Sequence, residues 1–134
     1  MFASTGPSRH PDYLELESQL TSLLEGEQSL MANAAQFSAF LFQSIADLNW
    51  AGLYLVAPTR DGKGQELVVG PFQGKVACWR IPFGKGVCGT SAKERRTVVV
   101  ADVHEFPGHI ACDAASNSEI VVPLIKGGEL VGVR

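Results

Sequence analysis

Residues 50–69, WAGLYLVAPTRDGKGQELVV, decide the fold. Trp50 to Ala57 alternates with a period of two. That places Trp50, Gly52, Tyr54 and Val56 on one face of a strand and Ala51, Leu53 and Leu55 on the other. Pro58 to Gln65 is a turn rich in glycine and charge, and Glu66 to Val69 resumes as a strand before Gly70-Pro71 breaks it. A turn this short joins antiparallel neighbours, because a parallel pair needs a long crossover.

Working back from this hairpin, residues 28–48 carry Leu30, Ala34, Phe37, Phe40, Leu41 and Ile45 at helical spacing. The stripe is broad enough to demand a sheet or a partner chain against it. An earlier helix runs from Pro11 to about Glu25, with Tyr13, Leu16, Leu20 and Leu23 on one side, and residues 1–10 read as a mobile lead-in. Working forward, the expected elements are a strand over Ala77–Ile81, a short helix over Val87–Lys93 and a strand over Thr97–Ala101. A long loop over 102–117, a strand over Ile120–Ile125, a Lys126-Gly127-Gly128 turn and a last strand from Glu129 follow. Together these predict an α+β fold: one domain over 11–134, an antiparallel sheet of about six strands, and the N-terminal helices packed on it. The last strand is expected to be under-paired, so the sequence reads as cut short at Arg134.

A net charge of −3 supplies no basic face for nucleic acid and nothing to hold an anionic membrane. No apolar run is long enough to span a bilayer, and the N-terminus lacks the apolar segment of a secretory signal. A cytoplasmic location is expected. Three cysteines in a reducing compartment do not suggest a disulfide framework, and their spacing matches no standard zinc pattern.

The chemistry concentrates between Lys75 and Leu124, which hold Cys78, Cys88 and Cys112. Cys112 lies in the long loop beside Pro107-Gly108-His109; His109 favours its thiolate, and Asp113 opposes it. Cys78 alternates with Trp79 on its strand, and a buried core thiol competes with a working one there. Cys88 opens the short helix, where the helix N-terminus lowers a thiol pKa, so it is also a candidate nucleophile. Gly84-Lys85-Gly86 before it lacks phosphate-loop spacing and is better explained by backbone geometry. Cys78, Cys88, Cys112 and His109 have the chemistry of metal ligands, but their spacing demands no metal. His104 reads as capping or solvating the loop. Glu119 reads either as a solvated strand-edge charge or, kept protonated by partial burial, as a general acid.

The runs PFQGKVACWRIPFGKGVCGTSA (71–92) and VVVADVHEFPGHIACDAASNSEIVVPL (98–124), with NWAGLYL at 49–55, resemble the free methionine-(R)-sulfoxide reductases, which are single GAF domains. The resemblance covers about residues 28–133. It implies a homodimeric GAF-like fold and reduction of free methionine-(R)-sulfoxide without a bound cofactor. Cys112 would be the nucleophile that becomes a sulfenic acid, Cys78 the thiol that resolves it as a Cys78–Cys112 disulfide, and thioredoxin the external reductant. Cys88 remains the rival for either thiol role. Glu119 matches a substrate-site carboxylate, and Trp50 and Tyr54 match the aromatic side receiving the methylthio end. The family's strand continues into an Asp-x-Asp motif that binds the substrate ammonium. Arg134 ends the sequence just before it, which implies weakened activity. The competing reading is a GAF-type binding or redox-sensing module without turnover.

Overall fold

The computed structural model describes residues 7–108 and 117–134, so His109, Cys112 and Asp113 lie outside the described residues. The chain divides into two compact units, one comprising the residues up to Gly52 with Pro71–Lys75, the other Leu53–Gly70 with the residues from Val76 onward.

The first unit is built on two helices. Helix α1 (Tyr13–Leu24) starts where the Asp12 carboxylate accepts the Leu14 and Glu15 amides, and α2 (Leu30–Ser44) where the Ser29 hydroxyl accepts that of Ala32. These side chains take over orphan first-turn donors, each replacement by Ala costing about 1 kcal/mol. Helix α2 ends at Ser44, short of the expected Asn49, and Asp47 sits in the left-handed region soon after. Ala34, Ser38, Phe40 and Ser44 are its buried residues. The buried Ser38 hydroxyl shares its proton between Ala34 O at 2.7 Å and Pro71 O at 3.1 Å. Trp50 stacks on Phe72 with centroids 5.3 Å apart, and a Cβ on Gly52 would collide with Phe72. Part of the expected mobile lead-in is pinned. Ser8 N–H donates to Ser44 O, and Ser8 O accepts from Ala46 N–H.

Strands β1 (Trp50–Pro58) and β2 (Gln65–Gly74) supply residues 53–58 and 65–70 to the second unit. With β3 (Arg80–Pro82), β6 (Pro123–Lys126) and β7 (Glu129–Val133) they form a five-stranded sheet ordered β3-β2-β1-β7-β6. Strands β4 (Val98–Val100) and β5 (Glu119–Val121) form a separate antiparallel pair. Helix α3 (Gly86–Glu94) packs against β3, β4, β5 and β7. Leu67, Ile81, Val87, Val98, Val121 and Val133 are buried, each contributing on the order of 1.5–3 kcal/mol.

The α+β class holds, with seven strands among the described residues instead of about six, and the differences have physical causes. Strand β2 runs through Gly70-Pro71 instead of breaking there. A proline lacks only its N–H, and the Pro71 carbonyl is used by Ser38. Strand β3 begins at Arg80, three residues later than expected, leaving Cys78 off the strand. The expected strand over 120–125 changes partner, β5 pairing with β4 and β6 with β7. Val122 exchanges hydrogen bonds with Arg134 at the switch, and Pro123 has no N–H with which to extend the first ladder. The last strand is not under-paired. Strand β7 lies between β1 and β6, with Tyr54 opposite Val133 and Leu55 opposite Gly132.

Candidate functional site

The second unit brings four of the expected residues into one neighbourhood: Tyr54 from β1, Cys78 between β2 and β3, Cys88 in α3, and Glu119 at the head of β5. Their surroundings differ sharply.

Cys78 occupies the irregular stretch between Gly74 and Arg80, flanked by Val76 at 87% exposure and Trp79 at 76%. It is half-buried and disulfide-bonded. On its open side lies a wide, shallow depression of about 720 Å³ bordered by Thr59, Asp61, Glu66, Trp79 and Arg80. Arg80 spans its edge, pairing with Glu66 at 3.0 Å and donating to Pro58 O at 3.0 Å. The depression does not include Tyr54, Cys88 or Glu119, and its openness makes it a surface in front of Cys78, unlike an enclosed cradle for a small amino acid. From the inner side, the Tyr54 hydroxyl donates to the Cys78 carbonyl at 3.0 Å. Tyr54 is 4% exposed, and its pKa is pushed up to about 12, first by burial and then by repulsion from Cys88 and Glu119 in their ionised forms. It therefore remains a donor at any working pH.

Cys88 is the free cysteine among the described residues. It is the third residue of α3, and the approach to it needs left-handed glycines at Gly84 (φ 86°) and Gly86 (φ 63°). That backbone requirement explains the glycine-rich passage without a phosphate. The Gly86 amide is already taken by Gly108 O at 3.1 Å. The helix start was expected to lower the Cys88 pKa. The opposite holds: burial pushes it up to about 12, with the Glu119 charge adding to the rise. A helix terminus favours a charge by at most about 2 kcal/mol, whereas taking a thiolate out of water costs more.

Glu119 pairs with Val100 across the β4–β5 ladder and is half-buried. Trp50 belongs to the first unit, stacked on Phe72. Asp102 caps the loop, and His104, largely in solvent, is its partner. The Asp102 carboxylate accepts the His104 amide at 3.0 Å and meets the His104 ring at 2.9 Å, and these bonds lower its pKa. The Tyr54–Cys78 hydrogen bond was not foreseen, since 24 residues separate the partners and neither residue type signals it. No group of three or more His, Cys, Asp or Glu side chains suited to a metal occurs among the described residues.

The chain matches the GAF domain family over residues 31–133. It is 49% identical over 121 residues to the free methionine-R-sulfoxide reductase of Escherichia coli (strain K12), covering 90% of this chain and 70% of that one. The chain belongs to the free methionine-R-sulfoxide reductase family. Within this family, the solved enzyme of Staphylococcus aureus in complex with substrate superposes with a TM-score of 0.84 at 49% identity, covering 94% of this chain and 79% of that one. The enzyme of Neisseria meningitidis, also in complex with its substrate, gives 0.86 at 43% identity over 99% and 78% of the two chains. Among the described residues, no helix is long and apolar enough to cross a membrane.

Proposed function

We propose that this protein reduces free methionine-(R)-sulfoxide to methionine by thiol chemistry. The observation that carries the reading is the 49% identity to the Escherichia coli reductase over 90% of the chain. The Cys112 thiolate attacks the sulfoxide sulfur, and Glu119 delivers a proton to the oxygen. Methionine departs, and the oxygen remains on Cys112 as a sulfenic acid, so the substrate sulfur is reduced by two electrons and Cys112 oxidised by two. The Cys78 thiol then displaces that oxygen as water and forms the disulfide, which a thioredoxin dithiol reduces by exchange. The disulfide-bonded state of Cys78 and its open flank support its role as the resolving thiol.

Cys88 takes neither role in this scheme, because a thiol with a pKa near 12 is almost wholly protonated at neutral pH. Tyr54 receives the methylthio end, an assignment that rests on the resemblance. A homodimer in the cytoplasm with no bound cofactor completes the proposal.

The test is NADPH consumption, coupled through thioredoxin reductase and thioredoxin, on the R and S epimers of free methionine sulfoxide. Turnover is expected on the R epimer alone and is abolished by Cys112→Ser. A binding module would release no methionine and gain no Cys78–Cys112 disulfide after one equivalent of the sulfoxide. Mass spectrometry showing that result would overturn the assignment.

A further inference from the structure

The residues around Cys78 raise a question of how its thiol is aimed. Its segment, residues 75–79, carries no strand ladder, and its apolar neighbours Val76 and Trp79 face solvent, so side-chain burial does not anchor it. Besides the Cys78 disulfide, hydrogen bonds to its backbone hold it. The Val69 amide donates to Trp79 O at 3.0 Å, and the Tyr54 hydroxyl donates to Cys78 O at 3.0 Å. The second acts on the carbonyl bonded to the Cα that bears the sulfur, so it restrains the backbone from which that side chain leaves. Its donor is a rigid arm. Tyr54 is buried on β1, a strand paired on both sides, and stands opposite Val133 of β7. A group held by such a scaffold keeps a reactive neighbour within the narrow geometry that bond formation needs.

We infer that the Tyr54 hydroxyl is a positioning residue for disulfide formation at Cys78, holding the backbone that carries its sulfur. The inference rests on the proposed thiol mechanism and adds to it a function for Tyr54 separate from the pocket wall. In the step concerned, the Cys78 sulfur bonds to the sulfenic sulfur, and the S–O bond breaks. The oxygen leaves as water with the thiol proton, Cys78 being oxidised and the sulfenic sulfur reduced. The pKa of about 12 keeps Tyr54 a donor throughout.

The experiment compares the wild type, Tyr54→Phe and Ser91→Ala, each reduced and then given either free methionine-(R)-sulfoxide or hydrogen peroxide. Sulfenic acid is trapped with a dimedone probe, and disulfide closure is followed by mass spectrometry. Ser91→Ala removes a comparable buried hydrogen bond, Ser91 Oγ to Arg96 O at 2.8 Å, elsewhere in the same unit. Tyr54→Phe keeps the ring and should lower the ratio of closure rate to sulfenate-formation rate about fivefold, as expected for one lost hydrogen bond. Trapped sulfenic acid should rise accordingly, while Ser91→Ala leaves the ratio unchanged. An unchanged ratio in Tyr54→Phe, an equal fall in Ser91→Ala, or no Cys78 disulfide from wild type under peroxide overturns the inference. If methionine sulfoxide gives no product but peroxide still closes the disulfide, the substrate assignment alone fails, and the peroxide ratio decides the role of Tyr54.

Discussion

Cys78 and Cys88 stand ten residues apart in the sequence and in opposite circumstances in the fold. Cys88 begins a helix, the setting usually associated with reactive thiols, yet desolvation holds it neutral. Cys78 lies disulfide-bonded on an unladdered stretch beside exposed Val76 and Trp79, with its carbonyl held by Tyr54. Desolvation therefore outweighs the local helix field at Cys88.

The largest expected effect tests the open side. Cys78→Ser should lower thioredoxin-coupled turnover at least about a hundredfold, since removing one member of a unit disables the whole cycle. A variant that recycles at the wild-type rate would move the resolving role to Cys88 and reverse the contrast.

Alkylation of the fully reduced protein at pH 7.5 comes next. A pKa of about 12 against the ordinary 9.0 removes about three decades of thiolate, and the higher intrinsic nucleophilicity returns roughly half of that loss. Native Cys88 should thus react about 30-fold slower than in the urea-unfolded chain. Peptide mass spectrometry with iodoacetamide measures the ratio, and a value near one would sink the buried-thiol description.

Crowding should also separate the two sides. A Cβ at Gly89, next to Cys88, would press on Pro82 O and the Gly84 amide, so Gly89→Ala should cost about 1–3 kcal/mol in urea unfolding. Trp79→Ala, beside Cys78, should change stability by less than about 0.5 kcal/mol, because that ring is mostly in water.

The smallest effect is in pH dependence. Cys88 and Tyr54 both have folded pKa values raised above their ordinary 9.0 and 10.0, to about 12. The unfolded chain loses those protons first, so their contribution to stability is complete below pH 9 and declines as pH rises toward 12. Urea midpoints of reduced protein should fall across that window, less steeply in Cys88→Ala. Equal slopes would show that the thiol is not desolvated.

Much of this molecule is legible without coordinates where the signal is local. The stripes of Tyr13, Leu16 and Leu20 and of Leu30, Ala34 and Phe37 mark the two helices because a period of 3.6 puts them on one side, and PTRDGKGQ marks a turn because glycine and charge suit a solvated reversal. The alternation in ACWRI was a misleading local signal. It suits a strand, but the ladder with β2 reaches back only to Arg80, so Cys78 falls outside it.

By itself the sequence determined the α+β class, the helix and hairpin positions, the reductase family and the candidate thiols. Each of these is written in short-range periodicity, capping chemistry or a contiguous motif. Tertiary structure alone decided that β7 lies inside the sheet, that residues 119–126 change partner at Val122, that Cys88 is neutral, and that Tyr54 holds Cys78. These depend on burial and on hydrogen-bond partners distant along the chain. Solvation and pairing are properties of what surrounds a residue, and no local pattern specifies them.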